Sequence, residues 1–347
     1  MPRIVALGGG TGLPVVLQGL CAAYDDEAID RDRITAIVTM TDDGGSSGRL
    51  RKEFGMLPPG DVRNCLAAMA AADSPFRELL QHRFHGPEGL DGHPVGNLLL
   101  AALTQMTGDF QRAVDRLSDL IGLRGQVLPS TADDVRLRAE MACGEVLNGE
   151  TAIVSRRKRI KRLSLDPSPR PQPEAIRALI NADAIVVGPG SLYTSILPTL
   201  LVEGVAPTIS GLNAVRIYVA NLMTEPGETD GYTLGDHLRV IRAHTGLDMF
   251  DYILVNRRPV DPSLVARYAE QGATPVVWEN LATFMSGAQV VDCDVAVHCS
   301  GGKVRHDPHM LAHAIHGLIR RGRPSHRAAD GRSTPPLADN KLIAAGR

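Results

Sequence analysis

Residues 1–23 read MPRIVALGGGTGLPVVLQGLCAA, and their order decides the fold class. Ile4 to Leu7 is a short apolar run stopped by glycines, as a buried strand is, and Leu13 to Ala23 repeats its apolar residues at helical spacing. Between them lies the loop Gly8 to Gly12. Glycine permits positive φ angles and close backbone approach, and a helix start offers unpaired N–H groups at the positive end of its dipole. A strand, a glycine loop and a helix in that order predict an α/β protein that holds phosphate at its first turn. The sequence is not the full dinucleotide fingerprint, since Leu13 stands where a third glycine belongs, and it has no P-loop lysine. The plain alternative is a glycine turn that only packs helix on strand.

Outward from this unit, strands and helices alternate. Ile34 to Met40 is a second apolar run, and Thr41 to Asp61, rich in glycine and proline, reads as a long functional loop. Helical periodicity covers Val62 to Ala72, Phe76 to Phe84, Val95 to Thr107 and Phe110 to Ile121. Gln126 to Arg162 reads as a β-rich insertion, with Asn148 and Gly149 as a hairpin turn and the basic run Arg156 to Arg162 guarding a strand edge. A proline-rich connector, Asp166 to Pro173, returns the chain to short strands at Ala184 to Val187, Ile217 to Ala220, Tyr252 to Val255 and Val276 to Val277. A helix around Met310 to Arg320 follows. We therefore expect one domain over residues 1–320 with a mostly parallel sheet, a helical segment and an insertion at about 126–162, then a flexible tail over 321–347. Ser325, Ser333 and Thr334 in that tail are candidate phosphorylation sites.

Composition narrows the function. A chain of 347 residues, 44% hydrophobic and 22% charged, has ample material for a core. Its formal net charge of −2 and 4% aromatic residues argue against nucleic acid as a partner. The five cysteines, Cys21, Cys65, Cys143, Cys293 and Cys299, are odd in number and unclustered, which suits reduced core thiols and a cytoplasmic protein. No apolar stretch is long enough to span a bilayer.

Five further stretches carry polar residues beside glycine. Asp42 and Asp43, in TDDGGSSGR, can hold Mg²⁺, take up a proton or receive hydroxyl groups; the alternative is that they end a strand and cap a turn. In PPGDVRN, Asp61 caps a helix, and Arg63 or Asn64 can face a ligand. Asn97 in HPVGN can orient a ligand or tie down backbone. Gly188, Gly190 and Ser191 in GPGSLYTS repeat the logic of the first loop and predict a second phosphate contact. His306, His309, His313 and His316 fall at helical spacing without acidic or cysteine neighbours and read as a polar helix face. Asn221 to Tyr232 follows a strand and so opens at the same sheet edge, where Asn221, Glu228 and Asp230 offer donors and acceptors for a base; the alternative is that Pro226 and Gly227 form a turn and Asn221 only caps the strand.

Together, GGGTGL (8–13), TDDGGSSGRLR (41–51), PPGDVRN (58–64), GHPVGNLLL (92–100), GPGSLYTSILP (188–198) and NLMTEPGETDGY (221–232) resemble the gluconeogenesis factor family, also called YvcK-like. That family is similar to the 2-phospho-L-lactate transferases (CofD-like), which move a phospholactyl group from a guanosine diphosphate donor to a deazaflavin with Mg²⁺. The resemblance implies a Rossmann-like three-layer sandwich. It implies phosphate contacts at Gly9, Gly10, Thr11, Gly12 and the Gly188 to Ser191 loop, with the transferase's acceptor aspartate falling at Asp42 or Asp43. It also implies a UDP-sugar ligand, UDP-N-acetylglucosamine foremost, and a role in growth on gluconeogenic carbon sources, cell shape and cell-wall precursor supply. Two activities stay open: a non-catalytic regulator acting on a protein partner, or a Mg²⁺-dependent nucleotidyl or phospholactyl-type transferase. An NAD-type binder is a third. A second copy of the chain is a further possible partner.

Overall fold

The computed structural model describes residues 1–24, 31–86, 89–278, 287–299 and 302–324. β1 (Ile4–Gly8) leads into α1 (Gly12–Ala22). β2 (Ile34–Val38) precedes α2 (Gly45–Phe54), α3 (Gly60–Met69), α4 (Pro75–Gln81), α5 (Val95–Thr107) and α6 (Phe110–Leu120). β3 (Gln126–Pro129) is followed by β4 (Arg136–Met141), β5 (Val146–Asn148), α7 (Glu150–Arg156) and β6 (Ile160–Asp166). α8 (Pro173–Ile180) and β7 (Ala184–Val187) lead through a π-helical turn into α9 (Leu197–Leu200) and α10 (Val205–Gly211). β8 (Val215–Val219), α11 (Leu234–Thr245), β9 (Tyr252–Asn256), α12 (Pro262–Glu270) and β10 (Gln289–Cys293) continue the alternation. The hairpin β11 (Ala296–Cys299) and β12 (Lys303–His306) then delivers the chain to α13 (Pro308–Arg321).

Seven strands form one sheet in the order β3-β2-β1-β7-β8-β9-β10, and every pairing in it is parallel. β1, β2, β7 and β8 are buried along their whole length, which is why they read as unbroken apolar runs rather than alternating ones. Ile4 and Ala6 face a core shared with Leu17 of α1, Leu66 of α3 and Leu311 of α13. Val5 and Leu7 face the opposite core, with Leu197, Ile209 and Ile241 of α9, α10 and α11. Helices thus cover both faces of a parallel sheet, a Rossmann-like three-layer sandwich.

Several elements differ from the sequence reading. The stretch Thr41 to Asp61 is not all loop, because α2 occupies its middle. Glycine and serine weaken that helix locally, yet Ser46, Ser47, Leu50 and Arg51 are buried and Gly55 closes it at φ +62°. Gln126–Pro129 belongs to the main sheet, so the insertion begins at β4, a three-stranded sheet ordered β5-β4-β6. Its hairpin turns at 142–145, and Asn148–Gly149 instead opens α7. The basic run is shared between α7 and β6, where Arg156 pairs with Glu145 and Lys161 with Glu140. Val276–Val277 is no strand; Met223 and Pro275 make an isolated bridge there, and β10 ends the sheet. His306 closes β12 and so leaves the histidine series of α13. All five cysteines are free thiols; Cys21 and Cys65 are buried, but Cys143 is exposed. Of the expected tail, residues 321–324 are described, and Ser325, Ser333 and Thr334 lie outside the described residues. Among the described residues, no single helix is long and apolar enough to cross a membrane.

Candidate functional site

The order of strand addition reverses between β1 and β7, and in such sheets ligands sit beyond the carboxyl ends of the strands at that reversal. The two glycine loops leave from those ends. They abut: a methyl group on Gly12 would collide with the carbonyl oxygen of Pro189. Gly9 is equally tight, since its Cβ would stand 2.6 Å from an Asp61 carboxylate oxygen. α1 then starts with Thr11 as its N-cap, and no side chain caps it. It starts at a cavity of about 290 Å³, whose wall includes Gly10, Thr11, Gly12, Gly190, Ser191 and Asn221.

Each loop is held by one side chain. Asp61 Oδ2 accepts the Gly10 N–H at 2.9 Å. Asp61 therefore reaches across to the first loop rather than capping α3, whose N-cap is Pro59. Burial is the main reason its pKa rises to about 6; the Gly10 N–H opposes the rise and Asp42 adds to it. In the second loop, Asn221 Nδ2 donates to Gly190 O at 2.9 Å and its Oδ1 accepts from Gly190 N at 3.2 Å. Both ends of its amide are thus engaged by a single residue, Gly190, so Asn221 holds the second loop in place while still lining the cavity.

The other expected site residues divide. Asp42 Oδ1 accepts the Gly44 N–H at 2.9 Å, a turn leading into α2. Asp43 Oδ1 accepts from the Thr151 N–H at 2.9 Å and the Thr151 hydroxyl at 2.7 Å, so it caps α7 and fastens the insertion to the sheet edge. Asn64 Oδ1 faces Arg63 at 2.5 Å and Gln81 at 3.2 Å, away from the glycine loops. Asn97 is buried and donates to Ser46 Oγ at 2.9 Å, which itself lies 2.7 Å from His93 Nδ1. Burial, then Arg49, keeps His93 below its ordinary pKa, and Ser46 joins Asn97 to His93 in one buried hydrogen-bonded group. Asp230 is exposed and accepts the Gly227 N–H at 2.8 Å, a turn contact. Glu228 is buried; its Oε1 accepts from Thr194 Oγ1 at 3.2 Å and its Oε2 has no hydrogen-bond partner. Burial, then repulsion from Glu225, drives its pKa up.

Three participants escaped the sequence reading. Glu150, in the first turn of α7, has its pKa pushed up to about 9, by burial first and then by Asp42, Asp61, Glu228 and Asp43. An acidic field therefore runs beside the crevice. Arg305 and His306 of β12 also line the cavity. His306 is buried, donates Nε2–H to Ala220 O at 3.2 Å, and has its pKa lowered to about 4 by that burial. Nothing local in the sequence marks a hairpin that folds back over the crevice; Asn148–Gly149–Glu150, with an acid at a helix start, was the one signal for Glu150.

Fold and site together define a Rossmann-like protein in which two glycine loops meet at the switch point of the sheet. The chain matches the family described as 2-phospho-L-lactate transferase CofD over residues 4–296. It is 43% identical over 320 residues to the gluconeogenesis factor of Bacillus subtilis, covering 92% of this chain and 98% of that protein. It is 47% identical over 276 residues to the gluconeogenesis factor of Halalkalibacterium halodurans, covering 79% of this chain and 84% of the other. A crystal structure of a UPF0052 family member from Bacillus halodurans superposes with a TM-score of 0.85 at 42% identity, covering 91% of this chain and 99% of that one. The chain belongs to the CofD family and, within it, to the relatives named gluconeogenesis factor.

Proposed function

We propose that this chain is a cytoplasmic, non-catalytic regulator that binds a UDP-sugar, with UDP-N-acetylglucosamine the ligand to test first, and conveys its level to a protein partner. In this reading it serves growth on gluconeogenic carbon sources, cell shape and cell-wall precursor supply. The observation that carries it is the abutment of two pre-fixed glycine loops at the switch point, a cradle suited to a diphosphate. Asp43, Asn221 and Asp230 are engaged in holding backbone, which supports binding over chemistry. The test is calorimetry with UDP-N-acetylglucosamine, GDP and NAD, followed by recovery of the bound ligand. Intact UDP-sugar is expected; no uridine preference would sink the reading.

One observation favours the Mg²⁺-dependent transferase as a second reading. Asp42, Asp61, Glu150 and Glu228 repel one another beside the crevice, and a cation would relieve that. Among the described residues no three His, Cys, Asp or Glu side chains are placed to share an ion. Mg²⁺, however, is commonly held by one or two carboxylates plus substrate phosphates. Asp42 and Asp61 fit that demand, whereas Asp43 is occupied by Thr151. When bound, the ion would offset charge on the phosphates. Diphosphate cleavage that requires Mg²⁺ and disappears in Asp42→Asn would establish this reading in place of the first.

A further inference from the structure

A second cavity, of about 590 Å³, lies between α1 and α13. It is separate from the crevice: α1 begins there at Gly12, and the residues lining the second cavity are Gly19, Ala23 and Tyr24, up to roughly 16 Å further along at 1.5 Å per residue. The two helices touch where Gly19 has no side chain, since a methyl there would strike the Pro308 carbonyl oxygen. Beyond that contact they leave room.

The cavity has two chemical faces. Ala23, Ala312 and Ile319 give it an apolar floor. His309, His313, His316 and Arg320 enter from α13 at positions i, i+4, i+7 and i+11, one stripe of that helix. Tyr24 faces them from the turn just after α1, with its hydroxyl 3.3 Å from His316 Nδ1 and its ring edge-on at 5.2 Å. His316 Nε2 is buried without a hydrogen-bond partner. Among the described residues, no aspartate or glutamate lines the cavity. Burial, then Arg320 and His313, lower the His316 pKa, and Arg320 places a fixed positive charge on the cavity wall.

We propose that this cleft is a second ligand site, for a small organic anion: a phosphate monoester or carboxylate on a flat apolar body. The volume lies in the range of small-molecule pockets, and a polar rim over an apolar floor suits an amphipathic acid. The anionic end meets Arg320 and the imidazole N–H groups, and the body covers Ala23, Ala312 and Ile319. Three histidines on one stripe invite a metal instead, but no such trio among the described residues is placed to share an ion.

Phenyl phosphate is the probe, with benzyl alcohol as its neutral counterpart and Zn²⁺ as the metal control. Histidine resonances of the full chain locate binding: His309, His313 and His316 report on the cleft, and His306 on the crevice. Saturable movement of the cleft histidines by phenyl phosphate at millimolar concentration is expected, with none from benzyl alcohol. The double variant His313→Gln, Arg320→Gln should weaken it about tenfold or more, as loss of hydrogen bonds to a charged group does. Both residues are exposed, so the variant keeps its core. The proposal falls if only His306 moves, if nothing moves, if the double variant binds equally well, if benzyl alcohol binds equally well, or if Zn²⁺ alone moves the cleft histidines.

Discussion

The two glycine loops do the same geometric work and are secured by different chemistry. The first is pinned through a carboxylate, Asp61, which Asp42 and burial make reluctant to ionise. The second is pinned through a carboxamide, Asn221, which holds both the N–H and the C=O of Gly190 and does not titrate. The contrast teaches that one half of the cradle is responsive to charge and the other is fixed. A ligand or cation that alters the acidic field acts on the first clamp through the charge of Asp61, whereas the Asn221 clamp carries no charge of its own.

The harshest way to break the comparison is to drive the loops apart. Gly12→Ala places a methyl against the Pro189 carbonyl, and overpacking of this sort costs about 1–3 kcal/mol and sometimes more. A chemical denaturation curve should show that loss, together with abolished nucleotide binding; wild-type affinity would mean that the loops need not meet.

Next in size is the charged clamp. Asp61→Ala leaves the Gly10 N–H without its partner at about 1–3 kcal/mol, whereas Asp61→Asn can still accept that bond. Calorimetry should find nucleotide affinity weakened in the alanine variant and largely kept in the asparagine variant.

The uncharged clamp comes third. Asn221→Ala frees Gly190 and should lower affinity by roughly 1–2 kcal/mol, equally for uridine and guanosine nucleotides, because the side chain holds backbone. A selective loss for uridine would show that Asn221 also reads the base.

A pH series sharpens the contrast. Glu150 in the folded chain titrates near pH 9 against 4.5 for a free glutamate, so between those values the folded state keeps a proton that the unfolded state has released. This contribution is full below about pH 4.5 and is lost as pH rises towards 9, with a slope of up to about 1.4 kcal/mol per pH unit. Glu150→Gln should flatten the decline measured by urea unfolding, and an unchanged slope would show that the acidic field is not felt there. The smallest effect is at Asp230→Ala, an exposed turn residue, which should cost no more than about 1 kcal/mol and leave affinity unchanged.

Much of the fold was legible because the pattern was unambiguous where the sheet is fully covered: β1 and β7 have apolar runs that only burial on both faces explains. α2 was hidden because its residues, GSSGRLRKEF, favour turns, and burial of Leu50 and Arg51 against the rest of the chain decides the outcome. That the two glycine loops open at one sheet edge was legible from their position alone. The roles of Asp61, Asn221 and Asp43 were not, since each partner lies 31 to 108 residues away in sequence and no spacing rule links them. Asp42 and Asp43 illustrate the limit: adjacent identical residues, one turning the chain into α2 and the other capping α7.

Gly19 gives α1 a bare step on which α13 rests. The chain reaches α13 through β12, whose Arg305 and His306 line the crevice, so the contact at Gly19 bears on that wall from about two turns along α1. Gly19 is thus a spacer: a single carbon added there would act as a wedge under α13, tilting that wall without touching the cradle. The signature would be a nucleotide that still enters but leaves faster, with both glycine loops intact.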